Sequence, residues 1–521
     1  MQRHRPVRTG MLEVMHDNTL AVAPERPGAT LRQQPPGLAT LFFTEMWERF
    51  TYYGMRSVLI LFLVAGPASG GLGFDDQTAS SIYGLYICAT YLFALLGGWV
   101  ADSLIGPQRA VICGGTLIFA GNALLTIGHE STFFLGLLVI VLGVGLLKPN
   151  ISAMVASIYP EGGSRRDAGF SIFYMGISVG AVLGSFLVPL AVRRYGWSVG
   201  FSLAALGMIA GLAVFLLTRR WLPAVAAPAR AGIQSWLPVM VIIVAIAGGA
   251  TLAATGHVRI DPAVISVAAS WLLGLLAGGY FLYLLAFAGL SREERRRVWV
   301  MIALFVSYAL FYAGFEQGGA SMNLFAERYT DRRLFGGEFP AGILQGATAL
   351  YTILLAPVFA AVWLALGRRG KDPSPPAKFA IGLTLLTLGL LVMVVASQRV
   401  VAGHKVLPTW LLFSYLLEEC GDLCLSPVGL SSMTKLAPAR YTGRVMGLWF
   451  MALALGDNLA GQLSREYDAA HLESLPTLFL KILCWTAGAA LLLFALAPRL
   501  AKLMRGPENQ DRSRNSRALA Q

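Results

Sequence analysis

Residues 77–101 read QTASSIYGLYICATYLFALLGGWVA, and residues 102–109 continue DSLIGPQR. The first stretch lacks Asp, Glu, Lys and Arg. As a helix rising about 1.5 Å per residue, it is long enough to cross a hydrocarbon core of about 30 Å. A lipid-exposed backbone must satisfy its own hydrogen bonds, and the run is too long and too uniformly apolar for a barrel strand, so it reads as a transmembrane helix. Further uncharged runs cover 110–128, 168–192, 195–218, 231–256, 262–291 and 339–367. Of the 521 residues, 56% are hydrophobic and 13% charged, against roughly 45–50% and about 25% in soluble domains. That surplus argues against a soluble enzyme and makes the lipid bilayer the main solvent of the chain.

The formal net charge is +13, but the basic residues are not gathered on a polar face, so no nucleic-acid partner is expected. Apolar runs bounded by charges or by Gly and Pro clusters give fourteen candidate helices, at 38–66, 77–101, 109–128, 131–157, 167–192, 196–221, 233–256, 262–290, 296–326, 339–367, 377–398, 406–434, 442–464 and 474–498. With both termini placed inside, 28 of the 41 Lys and Arg residues fall on inward segments, nine on outward segments and four within spans. The positive-inside bias therefore sets the orientation. Residues 1–36 have no apolar core suited to a cleavable signal and read as a disordered cytoplasmic tail, with a second cytoplasmic tail at 501–521. The five cysteines lie in apolar stretches and read as small buried hydrophobes.

The basic connection at 219–230, followed by two helices almost free of ionisable residues, divides the chain into six, two and six helices. The expected domains are an N-terminal bundle at 37–222, a linker with two inserted helices at 223–291, and a C-terminal bundle at 292–500. The expectation is an all-α integral membrane protein whose two six-helix bundles resemble the arrangement of a major-facilitator fold, in which the binding site lies between the bundles. Residues 98–109 fall at the turn between the second and third helices, where Asp102 and Arg109 can pair with each other or with the next helix end. They read as a structural latch and not as a ligand site.

Ionisable residues at membrane depth are costly and normally face the interior. In the first helix, Glu45, Glu48, Arg49, Tyr52 and Arg56 fall close to one face with Tyr53 beside it. Two carboxylates beside two guanidiniums form a site in which protonation changes which salt bridge is favoured. The alternative, a solvated helix end, is opposed by the long apolar continuation after Arg56. Lys148 stands seventeen uncharged residues into the fourth helix, just before Pro149 and Asn150. It reads as a cavity-lining cation, with an anchor snorkelling to the interface as the alternative. Glu316 lies in the span 296–326. Glu418, Glu419 and Asp422 crowd one turn of the span 406–434, where three acids cannot all carry charge cheaply unless a cation lies opposite. There is no phosphate-cradling loop and no zinc-protease pair, and the histidines are scattered, so no cofactor, no metal and no enzymatic activity are expected.

The first-helix stretch from Glu45 to Gly54 resembles the signature of the proton-coupled oligopeptide transporters (POT/PTR) of the major facilitator superfamily. Supporting stretches are the 97–109 loop, the run from Gly145 through Lys148 and Asn150, Arg165 to Tyr174, Phe315 to Gln317 with Asn323, and Leu425 to Arg440. The two inserted helices resemble those of bacterial members. The resemblance implies a proton-coupled symporter of the plasma (cytoplasmic) membrane that imports di- or tripeptides by alternating access, with protons and a small peptide as its partners and no obligate protein partner. It implies that Glu45, Glu48 and Arg49 couple the proton, and that Arg49 also meets the peptide carboxylate. Lys148 would support that end and pair with Asp422, the acid of the twelfth span, while Arg56 and Glu316 would form a gating salt bridge. Tyr52, Tyr53 and Tyr91 would line the pocket, with Trp449 packed beside it.

Three positions depart from the family pattern. Asp422 stands where a glutamate is usual, with Glu418 and Glu419 added nearby, and Ser178 and Thr348 stand where amides are usual. Hydroxyls offer fewer hydrogen bonds than amides, so altered selectivity with retained coupling is expected. The competing readings are the same machinery with another zwitterionic, anionic or peptide-like cargo and, from another class, a non-transporting receptor. Against the receptor stands the lack of any appended soluble domain. A membrane-embedded enzyme would need a nucleophile–base or metal constellation that the sequence does not offer.

Overall fold

The computed structural model describes residues 34–159, 163–223, 236–237, 240–241, 261–334, 336–468 and 471–504. The first half of the chain forms α1 (Pro36–Val64), α2 (Asp76–Val100), α3 (Pro107–Leu125), α4 (Glu130–Ser157), α5 (Gly163–Tyr195) and α6 (Trp197–Thr218). After α7 (Pro262–Ala286), the second half holds α8 (Arg292–Phe315), α9 (Ser321–Tyr329), α10 (Gly346–Arg368), α11 (Pro375–Val401), α12 (Pro408–Leu436), α13 (Thr442–Ser464) and α14 (Ser474–Met504). The expected inserted helix at 233–256 falls almost wholly outside the described residues, as do most of the expected tails at 1–36 and 501–521, of which residue 36 opens α1 and residues 501–504 end α14. Among the described residues the sheet content is one hairpin, Arg333–Leu334 with Gly337–Glu338.

Helix ends follow local chemistry. Asp75 caps α2 by accepting from the Thr78 amide at 2.8 Å, Asp261 caps α7 through the Ala263 amide at 2.8 Å, and Ser291 with Glu294 forms a capping box on α8. Prolines open α1, α3, α7, α11 and α12, where a missing N–H breaks no intrahelical bond.

The outward surface is apolar. Leu217, Trp271, Leu275 and Leu491 are 77%, 69%, 68% and 71% exposed, a distribution that water would penalise and lipid does not. Ten described segments are long and apolar enough to cross a bilayer. α1, α12 and α13 are of similar length and carry the polar groups of the interior. Cys88 and Cys424 are buried as expected, but Cys113 and Cys484 are exposed on the outward surface, which corrects the reading of those two as buried.

Close helix packing relies on small residues, because lipid gives no hydrophobic force between helices. Where α5 crosses α1, a Cβ at Gly180 would lie 2.0 Å from the Met46 carbonyl oxygen and one at Gly184 2.2 Å from that of Phe50. This contact seals the polar residues of α1 under α5. The two halves meet where α2 packs on α13 and where α5 packs on α10, and α7 lies against α2, α8 and α13.

The span expected as one helix at 296–326 is broken. α8 ends at Phe315, a 3-10 turn covers Glu316–Gly319, Ala320 departs from helical geometry at φ −113° and ψ −102°, and α9 follows. At the break Tyr83 of α2 approaches so closely that a Cβ on Gly319 would stand 1.7 Å from its hydroxyl, so only glycine fits there. The expected span at 339–367 likewise becomes regular helix only at Gly346, after a 3-10 turn over Ala341–Gln345.

Candidate functional site

A cavity of about 250 Å³ lies between the halves. The first half contributes Tyr53, Arg56, Tyr91, Tyr174 and Ser178 to its wall, and the second contributes Tyr312, Glu316, Gln345, Thr348, Thr352, Tyr415, Glu418, Glu419 and Asp422. Two larger depressions border the chain surface, one around Asp75–Thr78 with Arg328 and Arg465, the other around Arg193 with Arg332. Neither contains the residues singled out from the sequence, and the cavity between the halves does.

Beside this cavity, α1 holds a compact charge cluster. The Arg49 Nη2 donates to Glu48 Oε1 at 2.7 Å, its Nε pairs with the other Glu48 oxygen, and Glu45 Oε1 lies 3.3 Å from the same Nε. All three side chains are buried, and Glu45 Oε2 has no hydrogen-bond partner. The Tyr52 ring lies under the guanidinium at 4.8 Å. Two carboxylates share one contacting cation, so a proton arriving on Glu45 removes the surplus negative charge while Glu48 keeps its bidentate partner.

Arg56 sits two turns further along. Its Nη2 donates to Glu316 Oε2 at 2.6 Å and its Nε donates to the Tyr83 hydroxyl at 2.8 Å. Arg56 and Glu316 belong to different halves, and the helix break after Phe315 brings the carboxylate within reach. Other contacts between the halves gather at the same end. Arg328 clamps Asp76 with two bonds of 2.7 Å, Asn323 Nδ2 donates to the Ser57 carbonyl at 3.0 Å, and Ser80 Oγ donates to the Ser464 carbonyl at 3.4 Å.

Lys148 and Asp422 do not meet, contrary to the pairing implied by the resemblance. The Lys148 ammonium lies 4.1 Å from the centroid of the Tyr91 ring, in electrostatic range of Glu45, Glu48 and Asp457. Asp422 is held from its own side of the cavity, accepting from Ser426, one turn along α12, and from the Tyr312 hydroxyl at 3.2 Å. A side chain one methylene shorter than glutamate is captured by these neighbours instead of reaching the opposite half. Glu418 and Glu419 both border the cavity. Glu419 accepts from Thr352 at 2.6 Å; Glu418 accepts from Ser414 at 2.8 Å and leaves its second oxygen unpartnered.

The remaining expected residues divide. Tyr53, Tyr91, Ser178 and Thr348 are on the cavity wall, whereas Arg49, Tyr52, Lys148 and Trp449 are not. α5 packs on Arg49, where a Cβ at Gly180 would stand 3.0 Å from the Arg49 Cβ, Tyr52 lies against the Arg49 guanidinium, and Lys148 lies against the Tyr91 ring. Trp449 stacks on Tyr308 at 3.8 Å, and the Tyr308 hydroxyl is 3.2 Å from Ser426, so it packs in a layer behind Asp422. Asp102 and Arg109 are both exposed and form no ion pair with each other. Gly106, at φ +80°, reverses the chain between them and leaves each side chain on the surface. Asp457 of α13 is not among the residues singled out from the sequence. It is a lone acid in an otherwise uncharged run from Val445 to Ser464 and is 1% exposed, the pattern that singles out Lys148.

The POT family model matches residues 108–477. The peptide transporter YePEPT of Yersinia enterocolitica is 40% identical over 508 residues, covering 93% of this chain and 98% of that protein. A crystal structure of a peptide transporter POT in complex with sulfate superposes with a TM-score of 0.85 at 38% identity, covering 92% of this chain and 97% of that one. A POT family transporter in complex with 5-aminolevulinic acid superposes with a TM-score of 0.83 at 31% identity, covering 90% and 98%. With its fold, its cavity between two helical halves and these similarities, the chain belongs to the POT family, a family of transporters and not of enzymes.

Proposed function

We propose that this protein is a proton-coupled symporter that imports di- or tripeptides across the cytoplasmic membrane by alternating access, with both termini on the cytoplasmic side. The observation that carries this reading is the polarity of the cavity and its surroundings. Arg49 and Lys148 stand behind its first-half wall, while Glu418, Glu419 and Asp422 line the second. A zwitterionic peptide, with one charged group at each end, binds across such a site and draws the halves together. Glu45, Glu48 and Arg49 carry the proton exchange, and the Arg56–Glu316 pair closes the outer side. The bundles at 37–222 and 292–500 move as bodies, joined by the linker at 223–291.

A second reading keeps the fold and gradient but changes the cargo. It is favoured by the two hydroxyls on the wall: Ser178 donates to the Tyr174 carbonyl at 3.4 Å and Thr348 to the Gln345 carbonyl at 2.8 Å, so both donors are spent on their own helices. Less hydrogen bonding remains for a peptide backbone, and one structural relative is in complex with 5-aminolevulinic acid, which is not a peptide. The deciding experiment is uptake of labelled dialanine into liposomes under an inward proton gradient, with and without a protonophore. Gradient-dependent accumulation supports the peptide symporter. No accumulation by folded protein, with acidification of the lumen on another zwitterion, replaces the cargo and keeps the coupling.

A further inference from the structure

Asp457 has no part in the machinery described so far. It is 1% exposed, and neither carboxylate oxygen has a hydrogen-bond partner. Its seat is the seam between the halves. One turn further along α13, a Cβ on Gly461 would stand 2.7 Å from the Gly84 Cα of α2, and one turn earlier Ala454 clusters with Cys88 of α2. Titratable and charged groups face it from every side: Cys88 and Tyr91 on α2, Tyr308 on α8 with Glu316 just beyond it, Arg56 on α1 and Lys148 on α4. None of them is in ion-pair or hydrogen-bond contact with it. α7 presents Ser266 and Ser270 there, and these bond to Asn458 and Gln462.

An ionised carboxylate with no contacting donor is strongly disfavoured in such a place, whereas the neutral acid is tolerated. The seam is closed at the end where α2 begins and α13 finishes. When the halves rock apart at that end, water reaches Asp457 and the ionised form becomes stable.

We propose that Asp457 is a proton-binding residue of the closing step. It takes a proton from outside water as the α2–α13 seam closes and returns it to the same water when the seam opens. The proton goes back to the side it came from, so Asp457 sets the pH range of outer closure and leaves the transported proton to the α1 cluster. This rests on the alternating-access reading and orientation above, but on no particular cargo.

The test is hydrogen–deuterium exchange of the full chain in nanodiscs, followed over the outer halves of α2 and α13 in acid and in alkali and corrected for intrinsic exchange. The wild type is expected to gain protection in acid by about 5- to 150-fold, the usual range of coupling between a ligand and a conformational equilibrium. Asp457→Asn, neutral at every pH, is expected to stay protected in both conditions. Asp457→Leu serves as a second neutral variant if the amide disturbs folding. A pH response in both variants equal to the wild type's overturns the proposal, and so does a flat wild-type response. Dialanine accumulation is scored separately. Its absence together with pH-dependent protection overturns the peptide cargo alone, and its presence with flat protection overturns the role of Asp457 alone.

Discussion

The Lys148 ammonium rests 4.1 Å from the centroid of the Tyr91 ring, and Tyr91, unlike Lys148, lines the cavity. The ring thus links a buried cation to the cavity wall, and its π face holds the charge without neutralising it. A desolvated cation–π contact contributes about 2 kcal/mol. We predict that Tyr91→Leu lowers kcat/KM for uptake by about ten- to thirtyfold, while Tyr91→Phe, which keeps the face, stays close to wild type. Equal losses in the two variants would mean that the hydroxyl matters and the ring face does not.

Arg56, part-buried at 12% side-chain exposure, and Glu316, at 6%, form an ion pair across the halves, with Tyr83 as a third member. Removing one partner leaves an uncompensated buried charge, which typically costs about 3–5 kcal/mol, whereas replacing both by apolar groups is often neutral. Arg56→Met and Glu316→Gln should each destabilise the closed end where α2 begins and α13 finishes, and the double variant should be less disturbed than their sum. A double-mutant cycle in detergent melting, read alongside hydrogen exchange of those helix ends, gives the coupling energy. Additive losses would remove this pair as the clasp.

Most of the membrane architecture was legible because lipid imposes a simple code. Among the described residues the uncharged runs become helices, and the helices from 442 and 474 begin where the charge pattern says they do. The α1 cluster was legible for a similar reason, since Glu45, Glu48 and Arg49 are neighbours on one helical face and meet without help from elsewhere. What failed depended on contacts between distant segments. The turn after Phe315 lies against Tyr83, 236 residues earlier, which leaves room only for glycine at 319. Tyr312 and Ser426 compete for Asp422 against Lys148, and nothing in their spacing announces it. Asp457 could have been found, because a single acid in an apolar span follows the same logic as Lys148.

Asp422 is drawn towards Tyr312 and Ser426 while still bordering the cavity. One added methylene in Asp422→Glu should carry the carboxylate past these neighbours and nearer the ligand. We expect a lower Kd for short peptides, by a factor matching one charge-assisted hydrogen bond of about 1.5–3 kcal/mol at most. Equilibrium binding of dialanine checks this, and unchanged or weaker binding means that displacement of the acid does not control selectivity.

α7 is tied to α13 by a polar seam in an otherwise apolar contact. Asn458 Nδ2 donates to the Ser266 carbonyl at 2.6 Å and to Ser270 Oγ at 2.9 Å, Ser266 Oγ donates back to Asn458 Oδ1 at 2.9 Å, and Gln462 Nε2 reaches the same two serines at 2.9 and 2.8 Å. Hydrogen bonds between membrane helices average about 0.6 kcal/mol each, because the unfolded reference also finds partners. Ser266→Ala with Ser270→Ala deletes the three that use the serine hydroxyls, so a loss of about 2 kcal/mol in stability is expected. The bonds run to one half of the protein, and α7 is therefore carried by α13 as the halves move. Uptake by the double variant should stay within about twofold of wild type while exchange over residues 262–286 rises. Collapse of uptake with stability intact would instead make the inserted helix a working part of the seam between α2 and α13.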